Sequence, residues 1–159
     1  MVANLDLKKA KVVVEFGPGT GSVTKEIMSR LGSQTKFFAF ETNENMVSIL
    51  RRRFPTINVI HDSAENIDIH MKKRGIEQVD YIISSLPFTL FSPDLRIKII
   101  EKSYTSLRPG GEFVAYQYLH AAFLAESVGK INTKTGFKSV VSSMALLNVP
   151  PAFVFRCKK

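Results

Sequence analysis

Three glycines at alternate positions, Gly17, Gly19 and Gly21, stand just after a carboxylate, Glu15. The β-branched residues 12–14 run into this turn, and a helical pattern runs out of it. In α/β folds, a strand, a glycine turn and a helix in this order hold a nucleotide-type cofactor. The sequence therefore predicts a binding site for such a cofactor.

The turn suits a cationic ligand better than a dinucleotide. The dinucleotide fingerprint is G-x-G-x-x-G, whereas here the third glycine comes one residue early and Ser22 stands in its place. Pro18 removes a backbone N–H that would serve a pyrophosphate oxygen. The Glu15 carboxylate, at the mouth of the turn, repels a pyrophosphate but attracts an ammonium group, which S-adenosylmethionine carries beside its sulfonium. We therefore expect S-adenosylmethionine, bound by Glu15, Gly17, Pro18, Gly19, Thr20 and Gly21.

Two further carboxylates follow at the ends of predicted strands. Glu41 ends the second strand, where it can accept both ribose hydroxyls, although this position alone would serve a nicotinamide cofactor equally well. Asp62 ends the third strand and can accept the adenine amino group, with the backbone of Ser63 and Ala64 reading the ring edge. Taken singly, Glu41 can cap the next helix and Asp62 can be a turn residue. Three acids at the carboxyl ends of three successive strands indicate one cofactor site.

The elements that position these residues alternate regularly along the chain. Nearly continuous apolar runs, typical of parallel strands covered on both faces, lie at residues 11–16, 36–41, 58–61, 79–84 and 112–118. Two later strands, 139–147 and 152–156, are joined by the short segment 148–151, which cannot hold a crossover helix. That last pair must therefore be antiparallel.

Helical patterns lie between the strands. The first helix repeats an apolar residue at Val23, Ile27 and Leu31, and Gly32 is expected to end it. Asn43 and Ser92 are expected to cap two later helices. The helix after Ser92 should bury Ile97, Ile100, Tyr104 and Leu107. The predicted fold is a single α/β domain over residues 1–159, with a mostly parallel seven-stranded sheet, a C-terminal antiparallel hairpin and helices on both faces.

Composition limits the class of protein. The 159 residues fit one domain, and 45% hydrophobic with 23% charged residues is ordinary for a globular chain. No apolar stretch approaches the roughly 20 residues of a membrane span, and residues 1–10 do not resemble a signal peptide. The single cysteine, Cys157, suits a reducing cytoplasm. The cysteine and the three histidines (His61, His70 and His120) lack metal-ligand spacing, so no metal site is expected.

The charge indicates the kind of partner. A net charge of +8 and a pI near 9.7 favour an anionic partner, either nucleic acid or an acidic lipid surface. The charge is partly clustered, at residues 51–53 and 72–74 and at Lys130, Lys134 and Lys138. Charge alone does not separate RNA from a membrane. If the partner is a membrane, we expect binding to anionic vesicles that salt weakens.

The chain resembles the class I S-adenosylmethionine-dependent methyltransferases over essentially its whole length. The resemblance rests on residues 15–21, Glu41, Asp62, the stretch "SSLPF" at 84–88 and "LRPGG" at 107–111. It implies a Rossmann-like fold in which the glycine loop holds the methionine end, Glu41 the ribose and Asp62 the adenine. It also implies that Ser84 belongs to the cofactor site and that the residues after strand four face the reacting methyl group.

Two sub-families are most similar: bacterial phospholipid N-methyltransferases and ribosomal RNA adenine dimethyltransferases. The adenine enzymes typically carry Asn where this chain has Ser85, a shorter acceptor. Phe88 can stack on a base or line an apolar slot with Leu86, Leu90 and Phe91. "SSLPFTLFSP" and the ending "NVPPAFVFR" look more like the lipid enzymes, which also have a Tyr at the position of Tyr118. The resemblance thus implies a headgroup amine as acceptor, served by Ser85, Leu86, Pro87, Phe88 and Tyr118.

Alternatives remain open at this point. The acceptor can be ribosomal RNA adenine, or the chain can be a non-catalytic basic RNA-binding domain with a vestigial cofactor fold. A lipid acceptor implies an anionic membrane surface as partner and a cytoplasmic protein, peripheral at the inner membrane face. Both sub-families have an N-terminal segment that covers the cofactor. Because only residues 1–10 precede the first predicted strand, we expect that cover to be short or missing.

Overall fold

The computed structural model describes residues 2–118, 136–137, 139–145 and 152–159. Its centre is a seven-stranded sheet in the order β3-β2-β1-β4-β5-β7-β6. The strands are β1 Val12–Phe16, β2 Lys36–Glu41, β3 Asn58–His61, β4 Val79–Ser84, β5 Leu107–Tyr118, β6 Ser139–Ala145 and β7 Ala152–Lys158. Strands β1 to β5 pair in parallel, and β7 runs antiparallel to both of its neighbours. The predicted parallel sheet with an antiparallel C-terminal pair is confirmed, and the connection at 148–151 lies outside the described residues.

Within the described ranges, four helices flank the sheet: α1 Ser22–Met28, α2 Glu44–Arg53, α3 Ile67–Lys72 and α4 Pro93–Ser106. Short 3₁₀ turns occupy Leu7–Lys9, Ala64–Asn66 and Phe88–Leu90. Both predicted caps are present. Asn43 Oδ1 accepts from the backbone N–H groups that follow it at the start of α2, and Ser92 Oγ accepts from Leu95 N–H at 3.3 Å.

The two faces of the sheet bury separate apolar layers. Val12, Val14 and Phe16 pack with α3 and α4, whereas Val13 packs with α1 and the N-terminal residues. Successive strand residues point to opposite faces, so a continuous apolar run is needed where both faces are covered. The helices on both faces are therefore confirmed, and they explain the sequence pattern of the strands.

Gly32 serves a different purpose from the one predicted. Helix α1 ends at Met28, before Leu31, and Gly32 does not have a positive φ. A Cβ at Gly32 would come within 2.3 Å of the Lys8 carbonyl oxygen. The glycine therefore allows close approach of the N-terminal segment, and its prediction as a helix stop was wrong.

The buried face of α4 also differs from the expected one. It consists of Ile99, Ile100, Ser103 and Ser106. Ile97 is instead 37% exposed, Tyr104 is half-buried, and Leu107 is buried but opens β5. The small Ser103, whose hydroxyl donates to Ile99 O at 2.7 Å, lets the helix sit close against its neighbours. Hydrophobicity alone missed this face because two of its four residues are polar.

Asp80 joins three strands at the amino edge of the sheet. Its Oδ2 accepts from Lys11 N–H at 2.8 Å and Val12 N–H at 2.9 Å, and its Oδ1 accepts from Arg108 Nε at 2.6 Å. Burial opposes ionisation of Asp80, but the hydrogen bonds from Arg108, Val12 and Lys11 outweigh it and hold the pKa below its ordinary value. This carboxylate therefore ties the starts of β1 and β5 to β4.

Candidate cofactor and acceptor site

The carboxyl ends of the parallel strands bring the predicted site residues to one edge of the sheet. Phe16, the last residue of β1, pairs with Phe40 on one side and with Ser84 on the other. Glu41 pairs with His61, which directly precedes Asp62. The glycine turn, the two downstream acids and the segment after β4 therefore lie side by side.

The glycine turn leaves open space at its middle residue. Gly17, Gly19 and Gly21 all have positive φ, at 66°, 55° and 87°, which residues with a Cβ rarely adopt. A Cβ would come within 2.8 Å of Leu86 at Gly17 and 2.3 Å of Phe54 at Gly21. At Gly19 it would meet no described atom within 4 Å. The outer glycines are thus packed against protein, while Gly19 faces room for a ligand.

Glu41 links the glycine turn to the start of α2. Its Oε2 accepts from Gly19 N–H at 3.2 Å, and its Oε1 accepts from Thr42 and Asn43 N–H at 2.9 and 3.0 Å. These three donors fix the carboxylate beside the open side of the turn. A carboxylate offers about four acceptor positions, so this group retains capacity for a ribose hydroxyl. The helix cap itself is Asn43.

Glu15 lies beneath the turn and not at its mouth, where it was expected. Its side chain is fully buried, and Thr24 Oγ1 donates to Oε2 at 2.7 Å. Oε1 has no hydrogen-bond partner among the described residues. Burial raises the pKa of Glu15 to about 7; the Thr24 hydrogen bond opposes this shift, and the charge of Glu41 adds to it. The unpaired oxygen is suited to a cationic group, and the role of Glu15 in cofactor binding stays a prediction.

Asp62 is held by partners that the sequence analysis missed. Its Oδ1 accepts from Ser63 N–H at 2.7 Å and Asn66 Nδ2 at 2.9 Å, and its Oδ2 lies 2.7 Å from His70 Nε2. These hydrogen bonds hold the pKa of Asp62 below its ordinary value, and the bond from His70 contributes most to this shift. The ionised carboxylate only accepts, so Nε2 of His70 carries the proton. The sequence signal that could have revealed these partners is the regular spacing of four residues between Asp62, Asn66 and His70.

The His70 ring is itself fixed. It meets the ring of Phe40 edge-on, with 5.4 Å between the centroids, and Arg74 donates to its backbone carbonyl at 2.9 Å. Asp62 therefore has a set orientation at the edge of the site. The backbone of Ser63 and Ala64 follows it directly, in the positions expected for reading an adenine edge.

The segment after β4 forms a tight turn above the sheet. Ser84 is fully buried and its Oγ accepts from Leu86 N–H at 3.3 Å, while Ser85 N–H donates to Phe16 O at 2.9 Å. The Ser85 hydroxyl is buried and has no partner among the described residues. Pro87 is exposed. Ser85 thus carries an unused polar atom next to the end of β1.

Phe88 belongs to the core and not to an open slot. It is 3% exposed and meets Phe91 and Phe113 edge-on, with centroids 5.9 and 6.3 Å apart. Stacking on a base would require the ring to leave this cluster. Leu90, which was expected to line the slot, is instead 80% exposed.

The fifth strand brings Tyr118 to the same edge, where its backbone pairs with Ala152.

Lys130 and Lys134 lie outside the described residues, as does Lys138. In the parts of the chain that the structure describes, no group of three metal-binding side chains occurs and no helix is long and apolar enough to cross a membrane.

Comparison with known proteins agrees with this geometry. Residues 13–111 match the family model described as a methyltransferase domain. An ornithine lipid N-methyltransferase of Singulisphaera acidiphila is 28% identical over 167 residues, covering 99% of this chain and 80% of that protein. Ribosomal RNA small subunit methyltransferase A of Mycoplasma mycoides is 34% identical over 92 residues, covering 55% of this chain and 33% of that protein. The chain thus spans only about a third of that RNA-methylating relative.

A solved structure supports the fold. A Streptococcus mutans protein crystallised in complex with SAH superposes with a TM-score of 0.72 at 20% identity, covering 96% of this chain and 91% of the other. The open space at Gly19, the fixed carboxylates of Glu41 and Asp62 and the unpaired oxygen of Glu15 are compatible with a ligand that carries a ribose, an adenine and an ammonium group.

Proposed function

Because the chain belongs to the methyltransferase domain family and uses S-adenosylmethionine, we propose that it methylates the amine of a lipid headgroup. The observation that carries the choice of acceptor is the burial of Phe88. Its ring packs in the core against Phe91 and Phe113, so Phe88 offers no free aromatic face for an adenine. The match to the ornithine lipid enzyme over nearly the whole chain supports the same acceptor class.

The acceptor amine must lose a proton before it can react. An amine with the pKa of lysine, about 10.4, is neutral in roughly one molecule in two thousand at pH 7. Exposing its lone pair costs about 4–5 kcal/mol unless the site lowers that pKa. The side chains of Leu86 and Phe91, which are half-buried against the core, make an apolar surrounding, which disfavours the ammonium form.

The residues of this chain supply position and not a covalent intermediate. The bound cofactor supplies an activated methyl group on its sulfonium. Glu41 and Asp62 hold the nucleoside part in the fixed orientations described above. The buried Ser85 hydroxyl accepts an N–H of the neutral amine, which directs the nitrogen lone pair away from Ser85. Holding the two reacting groups in line is the main contribution.

Tyr118 is the second proposed contact to the amine. Strand β5 ends with Tyr118 at the edge where Ser85 follows β4. Its hydroxyl would orient the neutral amine, and its ring would attract the methylated ammonium product. A lipid acceptor also implies that the protein works as a peripheral protein at the inner face of a membrane.

Two substitutions, Ser85→Asn and Tyr118→Phe, test which group is the methyl acceptor. Labelled S-adenosylmethionine is supplied together with mixed-lipid vesicles and small-subunit ribosomal RNA, and the label is counted in each fraction. We expect label in lipid and a lower lipid rate for Ser85→Asn, because the larger amide fills a space for a small amine. Label in RNA, increased by Ser85→Asn, would identify adenine as the acceptor. RNA binding without any methyl transfer or S-adenosylmethionine binding would instead identify a non-catalytic RNA-binding domain.

Tyr118→Phe is expected to lower turnover by about 10²–10⁴-fold, the usual range for such a contact, with nearly unchanged cofactor affinity. Tyr81→Phe is the matched control, because Tyr81 lies in the middle of β4 and packs in the core layer of Val13. A Tyr118→Phe enzyme with the wild-type rate would remove Tyr118 from the mechanism.

A further inference from the structure

We propose that the turn at residues 87–91 enters the lipid bilayer next to the acceptor site, with Leu90 as its anchor. This inference rests on the proposed lipid acceptor. Leu90 is 80% exposed, against 48% for Ile69 and 37% for Ile97, the other exposed large hydrophobic side chains of the described residues. Exposing so large an apolar side chain has no benefit for folding, because burial of a leucine is favourable. A single exposed hydrophobic side chain needs no partner by itself, but Leu90 lies next to the proposed acceptor site, and a lipid acceptor brings a lipid surface to that site.

The turn presents Leu90 on a fixed support. Backbone hydrogen bonds run from Phe88 N–H to Leu86 O at 2.9 Å, from Leu90 N–H to Pro87 O at 2.9 Å and from Phe91 N–H to Phe88 O at 3.2 Å. The buried ring of Phe88 holds this 3₁₀ turn onto the core. Leu90 is therefore held outward by a structured turn, so insertion requires no unfolding of the turn.

The charge distribution favours apolar insertion at this edge. Residues 84–93 contain no charged side chain, so the whole turn can enter an apolar layer without burying a charge. Arg53, which donates to Thr20 O at 2.8 Å, and Arg96, in the first turn of α4, lie on the side of the glycine turn. However, five basic residues lie at the opposite, amino edge of the sheet, where β1, β2 and β5 begin and β7 ends. These five are Lys11, Lys36, Arg108, Lys158 and Lys159.

This separation changes the expected salt dependence. A membrane held by the amino-edge lysines would leave the acceptor site facing away from the lipid. Contact through Leu90 instead sets Ser85, five residues earlier in the chain, beside the headgroup layer. Productive binding should therefore depend on apolar burial and little on salt, in contrast to the binding expected from net charge alone.

The test is flotation of the full chain with neutral vesicles of phosphatidylcholine and phosphatidylethanolamine at low and high salt. Because one leucine contributes only a small part of what stable anchoring requires, we expect a weak partition of the wild-type protein onto an excess of vesicles, with the same coefficient at both salt concentrations. Leu90→Asp should lower the vesicle partition coefficient on the order of tenfold to a hundredfold, the value of burying one leucine. Ile69→Asp is the matched control, because it adds the same charge at another exposed apolar residue, on α3. It should float like wild type.

Several results would overturn the proposal. One is Leu90→Asp that floats like wild type, and another is an equal loss for Ile69→Asp. A third is flotation that needs anionic lipid and disappears at high salt, which would assign the contact to the basic amino edge. Calorimetry with S-adenosylhomocysteine verifies that each variant is folded. Flotation requires no methyl transfer, so failure of the lipid acceptor and failure of the docking turn are observed separately.

Discussion

The buried carboxyl of Glu15 should make the stability of the protein depend on pH near neutrality. Glu15→Gln removes the ionisable group but keeps the side-chain shape and an acceptor for the Thr24 hydroxyl, now at 2.7 Å from Oε2. Burial raises the folded-state pKa of Glu15 from 4.5 to about 7. The folded protein therefore retains a proton that the unfolded chain releases. The stability from this group is complete below pH 4.5 and is lost as the pH rises through 7.

The size of the effect follows from the two pKa values. A shift from 4.5 to about 7, at about 1.4 kcal/mol per pH unit, amounts to about 3.5 kcal/mol. For a chain of this length, 1 kcal/mol corresponds to about 2–4 °C in Tm, so roughly 7–14 °C is expected. The shifted aspartates, Asp62, Asp68 and Asp80, have lowered pKa values, so they titrate below this window.

The assay compares the Tm of wild type and Glu15→Gln between pH 5 and pH 8. Wild type should lose stability relative to the variant as the pH rises. If Oε1 of Glu15 also accepts the cofactor ammonium, wild-type affinity for S-adenosylhomocysteine should increase with pH, because binding favours the charged carboxylate. That increase should be absent in Glu15→Gln.

Parallel Tm profiles of the two proteins would refute a protonated Glu15 in the folded state. An identical pH dependence of cofactor affinity would remove Glu15 from the cofactor site. Glu26→Gln is the matched control. Glu26 lies exposed on α1, and within the described residues its one ion pair is with Arg30, at 3.3 Å. It should reproduce the wild-type pH profile.

The other predictions concern Glu41, His70 and Asp80. Glu41→Ala should weaken S-adenosylhomocysteine binding by about 1.5–3 kcal/mol, the value of a charged acceptor; unchanged calorimetric affinity, or a preference for NAD, would contradict the cofactor site. His70→Phe should keep the ring contact with Phe40 but lose the bond to Asp62, which weakens cofactor binding by about 1 kcal/mol; calorimetry with no change would assign His70 a packing role only. Asp80→Ala should lower the urea-unfolding free energy by about 2–3 kcal/mol and leave cofactor affinity unchanged, because Asp80 lies at the opposite edge; a fully stable variant would show that its bonds are replaceable.

The elements and the cofactor edge were predictable because both depend on local pattern. Continuous apolar runs mark strands buried on both faces, and polar caps such as Asn43 and Ser92 mark helix starts. Parallel strands end at one edge, so Glu41 and Asp62 could be assigned to one site without knowledge of the strand order. The extent of β5, which begins at Leu107 and not at residue 112, was not predictable, because it depends on pairing of Leu107 with Val79.

Apolar runs and helix caps could not predict which side chains are buried or which distant residues they contact. Nothing local to Glu15 indicates that Thr24 bonds it below the turn, and nothing local to Gly32 indicates the Lys8 carbonyl beside it. The outward position of Leu90 likewise depends on the packing of the Phe88 ring against Phe113 of β5. A residue's type and its neighbours in the chain limit its backbone conformation. For this reason the strands, the helix caps and the glycine turn can be predicted from a single sequence. Its exposure and its hydrogen-bond partners depend on which distant segments pack against it, and those are set only when the chain is folded.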